Sequence, residues 1–288
     1  MQECVCSFSE ALGCIITSYR VRAVFRLTEG LRTFSHVADD AYLKGMNRPV
    51  HQDMSAYPME SHTVWSALYE RQREHLEGKA SPLFLNSLDE MRHTLRKEGV
   101  PEVARMEAQL KETTGWTLKI VPGLIPEEAF FALLARQCFC TSVWVRRRDQ
   151  FDYLEEPDMF HDTFGHIPPL MNQDFADFMQ LFGEIGVEFT NSGNAEGLLG
   201  LARLYWYFIE FGFLRDAAGE PKLFGAGIMS SYGETQHAWS LREKLRPFDL
   251  EEVTATSYRT DTIQSTYFVL DSLDALKNDL RNWAGRAA

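Results

Sequence analysis

Two histidines and one glutamate carry the strongest chemical signal in the chain. His161 and His166 stand in EEPDMFHDTFGHIPPL, residues 155–170, and Glu210 stands in YWYFIEFGFL, residues 205–214. Positions five apart are turned about 140° from each other on a regular α-helix, so two ligands on one helix are better placed four apart. Gly165 offers a way round this, because glycine readily ends a helix and Pro168 resists its continuation. The spacing therefore predicts His161 on a last helical turn and His166 just beyond it, both facing one point. Chance also produces such pairs, so the two histidines alone do not establish a metal site.

Glu210 is the second signal. Its neighbours are nearly all large and apolar, which predicts a helix buried on most of its faces. A lone carboxylate there is costly unless it is paired or bound to a metal. Arg203, on the same face, and Arg215 are the rival partners. Two histidines and one carboxylate form the facial set that holds Fe(II) while leaving three positions open for oxygen and substrate. Zinc hydrolases use the same ligand types, and Asp162 could serve one as a base, so ligand identity leaves both metals open. Other catalytic motifs fall away. GAG at residues 225–227 lacks the spacing of a dinucleotide fingerprint, and there is no Walker A or GxSxG sequence.

The elements that must position these residues are mostly helical. Ser61 is a candidate N-cap for a helix carrying Trp65, Leu68 and Tyr69. A second helix carries Leu85, Leu88, Met91 and Leu95, and a third carries Val103, Met106 and Leu110. WTLKIV, residues 116–121, reads as a short strand, followed by a loop with Pro122, Gly123 and Pro126. Pro126 suits the first turn of a helix running to Arg136. Residues 140–146 alternate like a strand, residues 172–182 and 195–214 are helical in pattern, and a β-rich tail at 252–269 precedes a last helix reaching Trp283. Residues 1–54 show no clean periodicity and read as an N-terminal extension whose first 50 residues are expected to be dispensable. The domain proper is expected at 55–288.

Composition narrows the function further. The 288 residues are ordinary globular sequence, 45% hydrophobic and 24% charged. A net charge of −12 argues against nucleic acid as a partner, because phosphate binding needs a basic surface. No apolar run approaches the length of a membrane span, and Glu3 and Glu10 spoil any signal peptide, so a cytoplasmic protein is expected. Five cysteines with no CxxC pair disfavour both a disulfide scaffold and structural zinc. Cys138 and Cys140 read as packing residues.

The ordered motifs resemble those of the pterin-dependent aromatic amino acid hydroxylases, most of all the short bacterial phenylalanine 4-hydroxylases. The resemblance runs from about residue 55 to Trp283. It is carried by YERQ at 69–72, TTGW at 113–116, VPGLIP at 121–126 and YLEEPDMFHDTFGH at 153–166. ARLYWYFIEFG at 202–212, FGAGIMSSYGE at 224–234 and YRTDTIQSTYFV at 258–269 complete the set.

The resemblance implies a mainly α single catalytic domain with a small β component. It implies Fe(II) on His161, His166 and Glu210, with O2 as co-substrate. Tetrahydrobiopterin or a related tetrahydropterin would stack on Phe130, with Gly123, Leu124, Ile125 and Tyr205 lining the same side. Arg146 would pair with the substrate carboxylate and Asp158 would orient that arginine, a bidentate role suited to a guanidinium. Pro157, His161, Trp206 and Phe211 would pack the substrate ring, with Gly227 and Ser230 nearby. The implied reaction is hydroxylation of L-phenylalanine to L-tyrosine, iron and pterin together activating O2. Pro169 replaces a usual aliphatic residue and Thr260 stands where larger apolar residues are common in the family, which keeps tyrosine and tryptophan open as substrates. Relatives' regulatory domain and C-terminal oligomerisation helix are not seen in the sequence, so a monomer without allosteric control by substrate is expected.

Overall fold

The computed structural model describes residues 48–151, 156–260 and 262–287. The first 47 residues, with Cys4, Cys6 and Cys14, lie outside the described part, so most of the expected extension does too. Among the described residues no helix is long and apolar enough to cross a membrane.

Helix α1, Met59–Leu76, begins after Pro58, earlier than the expected cap at Ser61. It buries Val64, Trp65, Leu68, Gln72 and Leu76, a stripe at three- and four-residue steps. Ser81 caps α2, Pro82–Glu90, by accepting from Leu83 N. Helix α3, Val103–Thr113, lacks a cap from its own N-cap residue, Glu102. Gln52 supplies it from outside: its Oε1 accepts from Val103 N at 2.8 Å and its Nε2 donates to Pro101 O at 2.8 Å. Residues near the end of the expected extension therefore belong to the packed body.

Strand β1, Thr117–Ile120, and strand β2, Cys138–Thr141, pair in parallel across helix α4, Glu127–Leu134. Strand β2 is shorter than the alternation at 140–146 suggested. Asn172 caps the long helix α5, Gln173–Ser192, which ends at Gly193 with φ 70°, a left-handed turn that glycine adopts without strain. Helices α4 and α5 cross closely. A Cβ on Gly183 would lie 2.4 Å from Ala135 N, and one on Gly186 would lie 2.3 Å from the Phe131 ring.

Helix α6, Ala195–Leu204, is capped by Asn194 and runs straight into a π-helical turn, Tyr205–Glu210. The helical pattern expected to reach Leu214 stops there, because Leu214 joins strand β3, Phe213–Arg215. Strand β4, Pro221–Leu223, is followed by α7, Ala226–Met229, and α8, Tyr232–Ser240. Strand β5 is Arg246–Pro247. The expected β-rich tail begins instead as helix α9, Leu250–Ala255, because Asp249 caps it and Val253 and Thr254 are buried. Only Phe268–Leu270, strand β6, fulfils the strand pattern, and α10, Leu273–Ala287, closes the chain. The second sheet has the order β4-β3-β6-β5, antiparallel only between β3 and β4. One large core, rich in Phe and Trp, fills the space between these elements.

Gln52→Ala should lower stability by about 1 kcal/mol and the melting temperature by roughly 2–4 °C, as loss of a helix cap does in a domain of this size. Arg48→Ala removes an exposed ion pair with Glu156 and should change melting far less. Thermal denaturation of both variants checks this. An unchanged transition in Gln52→Ala would show that the segment does not brace α3.

Candidate metal centre

His161 and His166 do not sit on either side of a helix end. They begin and close a π-helical turn, His161–His166, that continues directly toward a 3-10 turn at Pro168–Met171. In a π turn the hydrogen bond runs from residue i+5 back to i, so residues five apart lie one above the other. This corrects the expectation that Gly165 ends the helix. The glycine serves close packing instead: a Cβ there would lie 2.9 Å from Ala226 O and 3.1 Å from Ala226 Cβ. Pro168 follows as an N-terminal residue of the 3-10 turn, where a missing N–H is harmless.

Glu210 closes the second π turn. It is buried, and neither rival cation reaches it: Arg203 donates to Thr254 O and Arg215 pairs with Asp271. Its carboxylate faces the histidines. His166 Nε2 lies 3.2 Å from Glu210 Oε1, His161 Nε2 lies 3.8 Å from Oε2, and the two Nε2 atoms are 3.1 Å apart. Ligand bonds of about 2.1 Å to one ion put neighbouring donor atoms about 3 Å apart, so a single metal fits among them. Among the described residues this is the one group of three or more His, Cys, Asp or Glu side chains close enough to hold an ion.

The surroundings prepare the donors. Burial lowers the pKa of His161 to about 4 against the opposing pull of Glu210, so its ring is neutral at pH 7. Burial alone would raise the Glu210 carboxyl, but His166 and His161 outweigh it and hold it below its usual range. Ser230 Oγ donates to Ala226 O and stands 2.8 Å from His161 Nδ1. With its one proton committed to the carbonyl, the hydroxyl accepts from Nδ1–H, which leaves the Nε2 lone pair free for a metal. Ser230, expected beside the substrate, thus sits on the metal histidine.

Helix α7 lies between the two π turns. Gly225 and Gly227 press on Glu210, where added Cβ atoms would lie 2.3 Å and 3.1 Å from its carbonyl oxygen. The GAG sequence is an approach of backbone to backbone. Gly227 also borders Phe211, whose ring centroid is 4.5 Å from that of Trp206. Trp206 in turn stacks on Tyr258 at 4.7 Å. Tyr205, five before Glu210, is the residue the π turn aligns with the ligand. Trp206, placed one turn before Glu210 by regular helix geometry, is instead offset toward Tyr258 and Phe211.

Asp158 is fully buried and takes four donors. Arg146 gives its N at 3.0 Å, Nε at 2.9 Å and Nη2 at 2.7 Å, and His161 N comes from 3.1 Å. The carboxylate therefore fixes the guanidinium and caps the turn that carries the metal ligands, leaving Arg146 Nη1 for another partner. Pro157, beside it, is half-buried. On the other side of the site, Phe130 is half-buried and meets Tyr205 edge to face at 5.5 Å. Tyr205 stacks on His166 at 6.2 Å. Leu124 is half-buried, while Ile125 turns into a small cluster with Val121, Ala129 and Leu133. Gly123 lies under Glu156, where a Cβ would come within 2.8 Å of Oε1.

Comparison with known proteins settles the lineage. The family model for biopterin-dependent aromatic amino acid hydroxylases matches residues 33–287. This chain belongs to that family. The hydroxylase is 45% identical over 232 residues to phenylalanine-4-hydroxylase of Ralstonia nicotianae, covering 80% of this chain and 71% of the relative. Two solved structures of phenylalanine hydroxylase from Chromobacterium violaceum are also similar. One, with iron(III) and 7,8-dihydrobiopterin bound, has a TM-score of 0.72 at 36% identity, covering 86% of this chain and 92% of that one. The other, with iron and phenylalanine bound, has a TM-score of 0.70 at 39% identity, covering 79% and 81%. The zinc-hydrolase alternative gives way to this membership, and the mainly helical single-domain fold agrees with it.

Phe139 escaped sequence reasoning, and Tyr258 and Asp162 were named there without the places the structure gives them. Phe139 lies 5.1 Å from the His166 ring, and its only sequence trace is the alternation of CFCT in β2. Tyr258 was visible as the first residue of a family motif but had no assigned place. Asp162 accepts from Ser142 N at 2.7 Å, and burial raises its pKa to about 6. Cys138 and Cys140 are half-buried and free, and both pack against the small cluster around Ile125.

His161→Ala, His166→Ala and Glu210→Ala should each lose most bound metal, since each removes one of three ligands. Metal analysis after gel filtration checks this, and full occupancy in any one would break the triad. In the metal-free protein His161 should stay neutral as pH falls from 7 and protonate only near 4. Unfolded imidazole titrates near 6.5, so the unfolded chain binds more protons in this window and stability falls as pH drops through it. Titration of the imidazole by NMR tests the point, and a midpoint near 6.5 would refute it.

Proposed function

We propose that this hydroxylase converts L-phenylalanine to L-tyrosine, with Fe(II) on His161, His166 and Glu210, a tetrahydropterin beside Phe130, and O2 as co-substrate. The observation that carries the reading is the shared carboxylate of Asp158. It grips Arg146 and caps the turn of His161, so an amino acid held by its carboxylate on Arg146 is held at a fixed distance from the metal set. The named relatives and the ligands in their structures support the same substrate and cofactors.

Bound together, iron and tetrahydropterin supply the activation of O2 that ring hydroxylation needs. The chain's own residues do the rest. Arg146 offers Nη1 to the substrate carboxylate while Asp158 holds its other face. Pro157, Trp206, Phe211 and Gly227 wall the ring and exclude water. Ser230 keeps the His161 lone pair directed at the metal. Phe130, with Gly123, Leu124, Ile125 and Tyr205, forms the cofactor side. The Tyr205 hydroxyl stays a neutral phenol because burial, reinforced by Glu210, raises its pKa well above the ordinary value. The reading extends to a monomer acting in the cytoplasm on a free amino acid, with a catalytic unit that adds the segment around Gln52 to the expected 55–288; gel filtration tests the oligomeric state and truncation tests the boundary.

Phenylalanine is favoured over tryptophan because the Trp206 indole, stacked on Tyr258, occupies the wall that a second indole would need. Shape discrimination in apolar pockets is worth about 1–3 kcal/mol, so kcat/KM should favour phenylalanine by roughly ten- to a hundredfold. The half-buried Thr260 works in the opposite direction. The assay is purified protein with Fe(II), tetrahydrobiopterin and each aromatic amino acid, with product identification. Higher kcat/KM for tryptophan overturns the substrate, and oxygen consumption independent of pterin overturns the cofactor. Phe130→Ala should raise KM for the pterin more than KM for phenylalanine, because a lost ring contact costs about 1 kcal/mol beyond buried area.

A further inference from the structure

We infer that Glu127 is a cofactor-specificity residue, whose carboxylate receives the hydroxyl groups on the side chain of a tetrahydropterin and so selects hydroxylated pterins over those that lack them. The inference rests on the pterin reading above and goes beyond it, since the residues given that role are a loop and two rings with no side-chain acceptor aimed at a substituent.

Glu127 opens α4, between the loop 123–125 and Phe130. Phe130 lies three positions further on, so the two side chains share a helix face. The same face carries Phe131 and Leu134, which press onto α5 at Gly186 and Gly183. The carboxylate is thereby drawn toward the protein, and it is half-buried while the adjacent Glu128 is exposed. Among the described residues Glu127 has neither a hydrogen bond nor an ion pair, and its helix has no side-chain cap. Burial raises its pKa to about 7, with Glu128 the one charge that acts on it.

These facts fit one part of the cofactor. The ring contacts of Phe130 with Tyr205 and of Tyr205 with His166 lead toward the metal set, so a pterin stacked on Phe130 would turn its ring that way. The hydroxylated chain is the part free to extend the other way, and it brings hydroxyl donors to an acceptor that has none. Above pH 7, where Glu127 is ionised, a hydrogen bond to its carboxylate is worth enough to change affinity about tenfold.

The test is calorimetric titration of the iron-loaded full chain without O2, using two dihydropterins that cannot drive turnover. In wild type, 7,8-dihydrobiopterin should bind more tightly than 6-methyl-7,8-dihydropterin, which lacks the hydroxyls. Glu127→Ala should weaken the first about tenfold and the second less than about twofold. Glu127→Gln, which keeps the size of the side chain, should show a smaller loss of about threefold confined to dihydrobiopterin. It decides the matter if the alanine variant has a lowered melting temperature. Equal losses for both pterins, or no loss in either variant, overturn the assignment. Phe130→Ala serves as the contrast and should weaken both pterins alike. If wild type binds neither, the pterin reading itself falls, and the role of Glu127 with it.

Discussion

The site depends on a single backbone device used twice. Both the pair His161 and His166 and the pair Tyr205 and Glu210 are five residues apart, and each pair spans one π turn. A regular α-helix would splay the two histidines apart and turn Tyr205 away from Glu210. The wider turn brings each pair to one side, and the two turns face each other across α7. Such turns are less well packed internally than an α-helix, so they persist only where neighbours hold them. Here the neighbours are glycines: Gly165 receives Ala226, while Gly225 and Gly227 receive the backbone of Glu210. A methyl group at any of the three would push a ligand turn away from α7.

Asp158 extends that order outward. A fully buried charge is tolerable only when it is saturated with donors, and this one has a guanidinium and a backbone amide of the metal turn. The consequence is mechanical: Arg146 cannot shift without disturbing the His161 turn. On the opposite flank the aromatic series from Phe130 to Tyr205 to His166 gives a second rigid link to the metal. Arg146 on one flank and Phe130 on the other are therefore both referenced to one histidine pair, the arrangement that the proposed substrate and cofactor sides call for.

Much of this was legible in the sequence because the chemistry is written in residue types. Spacing and an acid among apolar neighbours marked His161, His166 and Glu210 as candidates, and the family resemblance joined them into one set. What the sequence hid was backbone shape. Nothing in HDTFGH distinguishes a helix that ends at Gly165 from one that widens, because glycine serves both, and the choice is made by how close α7 comes. The tail at 252–269 looked β-rich from its Val and Thr content, yet Asp249 caps a helix there and burial overrides propensity. The cap on α3 was invisible for another reason: Gln52 is distant in sequence, and a cap supplied by tertiary contact leaves no local signature. Ser230 was placed near the site through a motif, but its bond to His161 could come only from coordinates.

The order of the ligands along the chain bears on how the centre is assembled during synthesis. The two histidines emerge together in one short turn, whereas Glu210 follows only after α5 and α6. A nascent chain thus presents a pair of imidazole nitrogens first, a site that many divalent ions occupy weakly and exchange quickly. The carboxylate can join only when α5 and α6 have folded back and α7 has lodged between the two turns. A complete set of three donors is therefore a property of the closed core. The one oxygen donor thus depends on long-range packing that the pair of nitrogens does not need, and the three-ligand set exists only where α7 holds the two turns together.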